Sequence, residues 1–329
     1  MASARVNKTL QSRNIRHGVY LNRLQVGEAN RLRQQVEEIQ SEILGIVAKQ
    51  LKSIKVRGGF HKAAIENSRY QSMLDDIQAI VEDGYKGILS NFKDRLEAVI
   101  AHEIEFQVAL VKQTAGIALK SPKARDLVAA LEKRPIHGRL LDDHFSTLEV
   151  ASFDAVKQQL NVGMVEGKSL EAIIKSLEEV AFNKALNQVD AVGRTSVKHA
   201  SAHSSEALWD ANGGEIAGVQ YVATLDSRTT IICASLDGKV FPPDEGPRPP
   251  QHFNCRSVTS VILKGTKPPP RVTFPEWLQD QSPEVQDEVL GKTRARWFRE
   301  GRVKFDQLVD QSNKPLTIEE IRRHEGLSA

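Results

Sequence analysis

Two cysteines in 329 residues cannot build a disulfide scaffold, and so few point to a chain made and assembled in a reducing cytoplasm. Aromatic residues are also scarce, at 5%, so the core must be built mostly from aliphatic side chains, which favours helices. No apolar run approaches the roughly 18 residues of a membrane-spanning helix. The opening "MASARVNKTLQSRN" has no apolar stretch behind its charges and does not read as a secretory signal. G-x-x-x-x-G-K-[ST] and G-x-S-x-G are both missing, so nothing marks a P-loop motor or a nucleophile elbow. No internal repeat or low-complexity tract is evident.

What is present is long, amphipathic and unevenly charged. The net charge is only +3, yet residues 1–57 hold eleven Lys and Arg against four Glu. Such a segment suits a nucleic acid or an acidic protein surface, and equally the solvated face of a long helix. Leu32, Val36, Ile39, Ile43, Val47, Leu51 and Ile54 recur at steps of three and four, as do Ile77, Val81, Tyr85, Ile88, Phe92, Leu96 and Val99. The two stripes, with Gly58-Gly59 between them, predict an antiparallel helical pair. Gly84 and Gly87 should each weaken the second helix by about 1 kcal/mol.

Further along, "SPKARDLVAALEKRP" reads as a short helix with Ser121 as N-cap and Pro122 at its first position. Two helices with a glycine turn between them follow Ser146, the second capped by Ser169. Another runs through "GRTSVKHASAHSSEALWDANGG" and stops at Gly213-Gly214. The period then changes to two: Val219, Tyr221, Ala223 and Leu225 alternate as a strand with one buried face should. Asp226 is placed to cap the next helical turn and Gly238 to end it. "KVF" and "RSVTSVILK" read as strands, the latter able to pair with the first. "PPDEGPRPP" is a proline-stiffened loop, and the tail holds a helix, a turn and a last short helix capped by Thr317. The expected class is α+β, mainly α. Residues 1–145 form a helical partner-binding region, 146–265 a small mixed core, and 266–329 a linker and helical tail.

Three groups of residues could carry chemistry. Cys233, His252 and Cys255 offer three ligands to zinc, with Asp226, Asp237 or a water as the fourth. The same spacing suits reduced, semi-buried cysteines with His252 bonded to loop backbone, or a disulfide formed on oxidation. His199 and His203 stand at i, i+4 on a helix, but the intervening "ASA" lacks the glutamate base of an H-E-x-x-H enzyme. In "GKTRARWFREGRVK", Lys292, Arg294, Arg296, Arg299, Arg302 and Lys304 surround Trp297 and Phe298. That pattern suits phosphates with a stacked base or a partner pocket, or an amphipathic helix whose aromatics are core.

Taken in order, these pieces resemble the minor head proteins of tailed bacteriophages, the family of Mu protein F or phage head morphogenesis proteins. The resemblance rests on Arg194-Thr195, on Asp226-x-Arg228-Thr229, on Cys233 with Leu236-Asp237-Gly238, and on Pro250-x-His252-x-x-Cys255-Arg256. It covers residues 150–265, and Ser257 stands where many members have another Cys. It implies a low-copy virion component, not an enzyme, acting in head assembly at or near the portal vertex and in DNA packaging or ejection. Its implied partners are the portal protein, the major capsid or scaffolding protein, and packaged double-stranded DNA, with no membrane. Its implied place is the head interior or portal vertex. The competing reading of the cysteine-histidine stretch is a metal-dependent nuclease or hydrolase, which would need a general base beside the ligands.

Overall fold

The computed structural model describes residues 2–54 and 68–327, and Gly58-Gly59 lies outside them. The structure is 69% helical with one small antiparallel sheet, so the class is α+β, mainly α. Two compact units are present. Unit 1 comprises Met1–Asn22, Ile100–Leu127 and Lys198–Ala329; unit 2 comprises Arg23–Val99 and Val128–Val197. Three of the boundaries fall inside the long helices α1 (Ala2–Ile54), α2 (Ser68–Ala115) and α6 (Asn183–Asp210), and the fourth inside the short helix Ala124–Glu132.

Unit 2 is where the apolar stripes are used. Leu32 through Leu51 on α1, and all seven residues of the second stripe on α2, are buried. The two helices run antiparallel, with Arg95 bonded to Glu28 at 2.6 Å and Gln50 to Asp76 at 2.9 Å. Gly84, expected as a weak point, is instead where they approach: a Cβ there would collide with the Ile39 side chain. The short helix α3 (Ala124–Glu132) starts later than its sequence suggests. Ser121 is not its cap, since its hydroxyl donates to the neighbouring Pro122 carbonyl at 3.3 Å. Next come α4 (Leu141–Val165) and α5 (Leu170–Ser176), joined through Gly167 at φ +67 and capped by Ser169, whose oxygen accepts the Ala172 N–H at 3.2 Å. A π-helical turn over Leu177–Phe182 leads into α6.

Unit 1 holds the sheet. Strand β1 (Ile216–Val222) lies between β2 (Val240–Phe241) and β3 (Val258–Leu263), both antiparallel to it. Only one face of β1 was expected to be buried, but Gln220 and Val222 are buried as well. The central strand is covered on both sides, and Gln220 is satisfied there by Gln11 of α1 at 2.8 Å. Leu10, Leu110, Trp209, Val219 and Val261 form one apolar cluster. A six-residue helix α7 (Ile231–Leu236) follows β1, capped by Thr230 rather than Asp226. The tail folds as α8 (Phe274–Gln279), α9 (Pro283–Leu290), α10 (Lys292–Arg299), a 3-10 turn and α11 (Ile318–Glu325), around Phe274, Trp297, Phe305 and Leu308. The single tail helix expected before the turn is two, because Gly291 at φ +76 breaks it.

The two glycines of α2 make a paired test. Gly87 has open space around its Cβ position, so Gly87→Ala should raise stability by up to about 1 kcal/mol. Gly84→Ala gains the same propensity but must displace Ile39, and should lower stability by about 1–2 kcal/mol in urea unfolding. Equal midpoints for the two variants would show that Gly84 is not a contact point.

Candidate functional site

The cysteine-histidine stretch converges in unit 1. The sulfur atoms of Cys233 and Cys255 and a ring nitrogen of His252 all lie within 4.8 Å of one another, the only such His, Cys or carboxylate group among the described residues. Local structure explains the convergence. Thr230 caps α7 and so fixes Cys233 one turn in, its oxygen accepting the Cys233 N–H at 3.5 Å. Asn254, at φ +60, makes the left-handed step that folds His252 and Cys255 onto one side of a tight turn. The proline loop is tied behind them: the Arg248 guanidinium donates to the Pro242, Pro243 and Pro247 carbonyls, and Pro249-Pro250 is cis.

Both cysteines are buried and free, with sulfurs 3.6 Å apart. A tetrahedral zinc site with Zn–S bonds near 2.3 Å separates two thiolates by about 3.8 Å. His252 Nδ1 faces the Phe253 carbonyl at 2.8 Å, and a carbonyl can only accept, so Nδ1 carries the proton and Nε2 keeps the lone pair. Metal-binding histidines use a bond of this kind to fix their orientation. The donor set therefore fits a soft or borderline cation. Without one, the Cys233 thiol donates to Cys255. This bond holds Cys255 well below the ordinary thiol range, against the push of burial, and His252 adds to it. The same bond, with burial, pushes Cys233 up. Tyr221 donates to Cys233 at 3.2 Å. Burial pulls the His252 imidazole down, but its bonds to Cys255 and Phe253 outweigh this and lift it.

Asp226 and Asp237, expected as fourth ligands, are committed elsewhere. Asp226 takes a two-pronged pair from Arg256, at 2.5 and 2.6 Å, and accepts the Arg228 N–H at 3.1 Å. The Arg256 bond holds its carboxyl below the usual range against the pull of burial. Thr229 closes the same turn by donating to the Thr224 carbonyl at 2.6 Å. Asp237 has a fully buried side chain paired with Arg271. Its oxygens also accept the N–H of Ala223 at 2.7 Å and of Phe274 at 2.8 Å. Leu236 is core, and Gly238, at φ +82, returns its N–H to the Tyr221 carbonyl at 2.9 Å.

The remaining candidates are not members of this cluster. Arg194 and Thr195 belong to unit 2, where Arg194 is bonded to Asp190 at 2.6 and 3.1 Å and Thr195 donates to the Ala191 carbonyl at 2.7 Å. In the tail, Trp297 is buried and Phe298 packs against the same core. Arg294 donates to the Leu316 carbonyl at 2.7 Å, Arg299 to Asp287 at 2.8 Å and Arg302 to Glu300 at 3.5 Å. Lys292, Arg296 and Lys304 are exposed. His199 and His203 join no metal-capable group among the described residues.

One polar centre was missed in the sequence. Glu103 of α2 is buried and accepts four bonds, from His17, Gln107, Ser201 and Ser205, at 2.8 to 2.9 Å. Burial pushes its carboxyl up, and the bond and charge of His17 outweigh that and hold it below its ordinary range. Lys198 is buried beside it, facing a cavity of about 20 Å³ with room for about one water. Burial pulls the Lys198 ammonium down, against the charges of Cys255, Glu103 and Cys233. The signal was available: Asn7, Gln11, Asn14 and His17 recur on α1 at steps of three and four, a polar stripe at helical spacing, and all are buried.

Asp237→Asn should cost about 3–5 kcal/mol in urea unfolding, because Arg271 would be left buried without its counter-charge. A loss below about 1 kcal/mol would mean that the chain closes around the position without the pair.

Residues 154–260 match the family model described as Phage Mu protein F like protein. No curated protein and no solved structure matches the chain. The matched segment contains the whole Cys233, His252, Cys255 cluster together with the Asp226–Arg256 pair and the Asp237 turn. Over residues 154–260, about a third of its length, the chain is thus similar to the Mu protein F-like proteins.

Proposed function

We propose that this protein is a minor head component of a tailed phage that joins the head at or near the portal vertex, and that its cysteine-histidine cluster is a structural zinc clasp. The observation that carries the reading is the coincidence of the family match with a cluster flanked by two carboxylates, Asp226 and Asp237, that are occupied in holding backbone and arginines. A metal-assisted hydrolase would need a free base beside the ligands. Asp226 and Asp237 are the carboxylates that the sequence offered, and both are paired to arginine. Cys233, His252 Nε2 and Cys255 would hold the ion, which when bound would supply cross-linking between α7 and the loop that returns to β3. The long helices, and the lack among the described residues of any helix long and apolar enough to cross a membrane, agree with a protein that works against other head components.

Two measurements test the two halves of this reading. Co-sedimentation with empty proheads should recover the protein when the portal protein is present and lose it from portal-less shells. Equal recovery from both would move the site to the shell wall, and recovery from neither would sink the head-component reading. The clasp predicts about one zinc per chain in protein purified under reducing conditions. Cys255→Ser should lose that zinc and melt about 4–8 °C lower, corresponding to about 2 kcal/mol. An unchanged melting temperature would count against the clasp.

A further inference from the structure

Several arginines of this protein are paired with a carboxylate: Arg31 and Arg95 with Glu28, Arg194 with Asp190, Arg256 with Asp226, Arg271 with Asp237, Arg299 with Asp287. Unit 1 contains two segments where this is not so. Residues 1–22 carry Arg5, Lys8, Arg13 and Arg16 and no Asp or Glu; residues 106–125 carry Lys112, Lys120, Lys123 and Arg125 and likewise no Asp or Glu. All eight side chains are exposed, and none is ion-paired among the described residues. The two segments lie side by side, because Arg13 of α1 donates to Gln113 of α2 at 2.9 Å.

Between them runs an open groove of about 400 Å³ lined by Arg5, Val6, Thr9, Arg13, Gln113 and Thr114. Arg5, Thr9 and Arg13 follow one another at i, i+4, i+8, so they stand on one face of α1 over about 12 Å. The Thr9 hydroxyl donates to the Arg5 carbonyl at 3.0 Å, and the lining offers guanidinium and amide donors and no carboxylate. It also has no aromatic ring to stack on a base and no second layer of polar side chains to read base edges. Donors of this kind, held in a row on a rigid helix, suit phosphates.

We propose that this groove binds the sugar-phosphate backbone of duplex DNA without sequence preference. The site is distinct from the basic tail segment 292–304, where Arg294, Arg299 and Arg302 already bond to their own unit. It extends the head-protein reading, in which the chain shares a shell with DNA, by naming the surface that faces the DNA. The test uses the isolated full-length protein, so a failure to join proheads and a failure to bind DNA are separate results.

Fluorescence anisotropy with a 30-base-pair duplex of arbitrary sequence, run between about 50 and 200 mM NaCl, gives affinity and its salt slope. Arg5→Gln with Arg13→Gln should weaken binding about tenfold and reduce the log–log salt slope by about 1.8, roughly 0.9 for each lost phosphate contact. Arg5→Lys with Arg13→Lys keeps the charge and should retain most of the slope. Lys292→Gln with Arg296→Gln should leave binding within about twofold. The proposal is overturned if the wild-type chain does not bind, or if the loss follows the tail variant instead. It is also overturned if polyglutamate of matched charge competes as well as DNA does, since the groove would then be made for an acidic protein.

Discussion

The Asp237 carboxylate is the point on which the geometry of unit 1 depends. It sits at the end of α7 with no solvent contact, and it holds three things: the N–H of Ala223 where β1 ends, the N–H of Phe274 where α8 begins, and the Arg271 guanidinium between them. Strand, helix and tail therefore meet on one side chain. Two neighbours make this possible. Gly238 supplies the positive φ that turns the chain toward β2, and Leu236 anchors the turn in the cluster containing Tyr221, Cys233 and Cys255. A buried charge of this kind is tolerable because both of its oxygens accept hydrogen bonds and a guanidinium stands beside it. Because Cys233 lies one turn upstream on α7, the position of its sulfur is inherited from that anchoring.

The two units solve the packing problem with different materials. In unit 2, α1 and α2 bury aliphatic stripes against each other and need a missing Cβ at Gly84 to come close. In unit 1 the same two helices turn polar faces inward. Asn14 and Gln107 bond at 2.8 Å, and Gln107 in turn serves Glu103, which also takes His17, Ser201 and Ser205. Such a network is direction-specific in a way an aliphatic seam is not: each donor has one acceptor, so a shift in register of either helix would strand several buried polar groups at once. Burying this much polarity costs stability and returns specificity, and Lys198, buried beside Glu103, also feels the charges of Cys255 and Cys233.

Much of the architecture was legible because it rests on periodicity. The stripes through Leu32–Leu51 and Ile77–Val99 named their buried residues correctly, and Ser169 and Thr317 named their helix starts. Errors arose where tertiary context overrides a local rule. Ser121 looked like a cap, but the helix begins only at Ala124. The "GKTRARWFREG" segment looked continuous, but Gly291 breaks it off from α9. At the site, residue types and spacing found Cys233, His252 and Cys255, which the fold brings together. They could not tell which carboxylates were available, because the partners Arg256 and Arg271 stand 30 and 34 residues away. Glu103 escaped for the same reason: a single glutamate on an amphipathic helix reads as solvated until its four donors, on three helices, are known.

The arrangement of charge around the cluster bears on what it is for. A centre that activates water must keep a coordination position open to solvent and a base within reach of it. Cys233 and Cys255 are buried, and the ring of His252 is only half covered, with its second nitrogen spent on the Phe253 carbonyl. Asp226 and Asp237 are paired with arginines that also lock the turn before α7 and the turn after it. Asp226 and Asp237 thus each hold backbone N–H groups in place as well as an arginine. One sulfur on α7, and a second sulfur and an imidazole on the loop that returns to β3, meet where Asp226 and Asp237 brace the turns on either side of α7. That is the economy expected of a small sheet of three short strands, whose apolar area alone is thin support for the loops it carries.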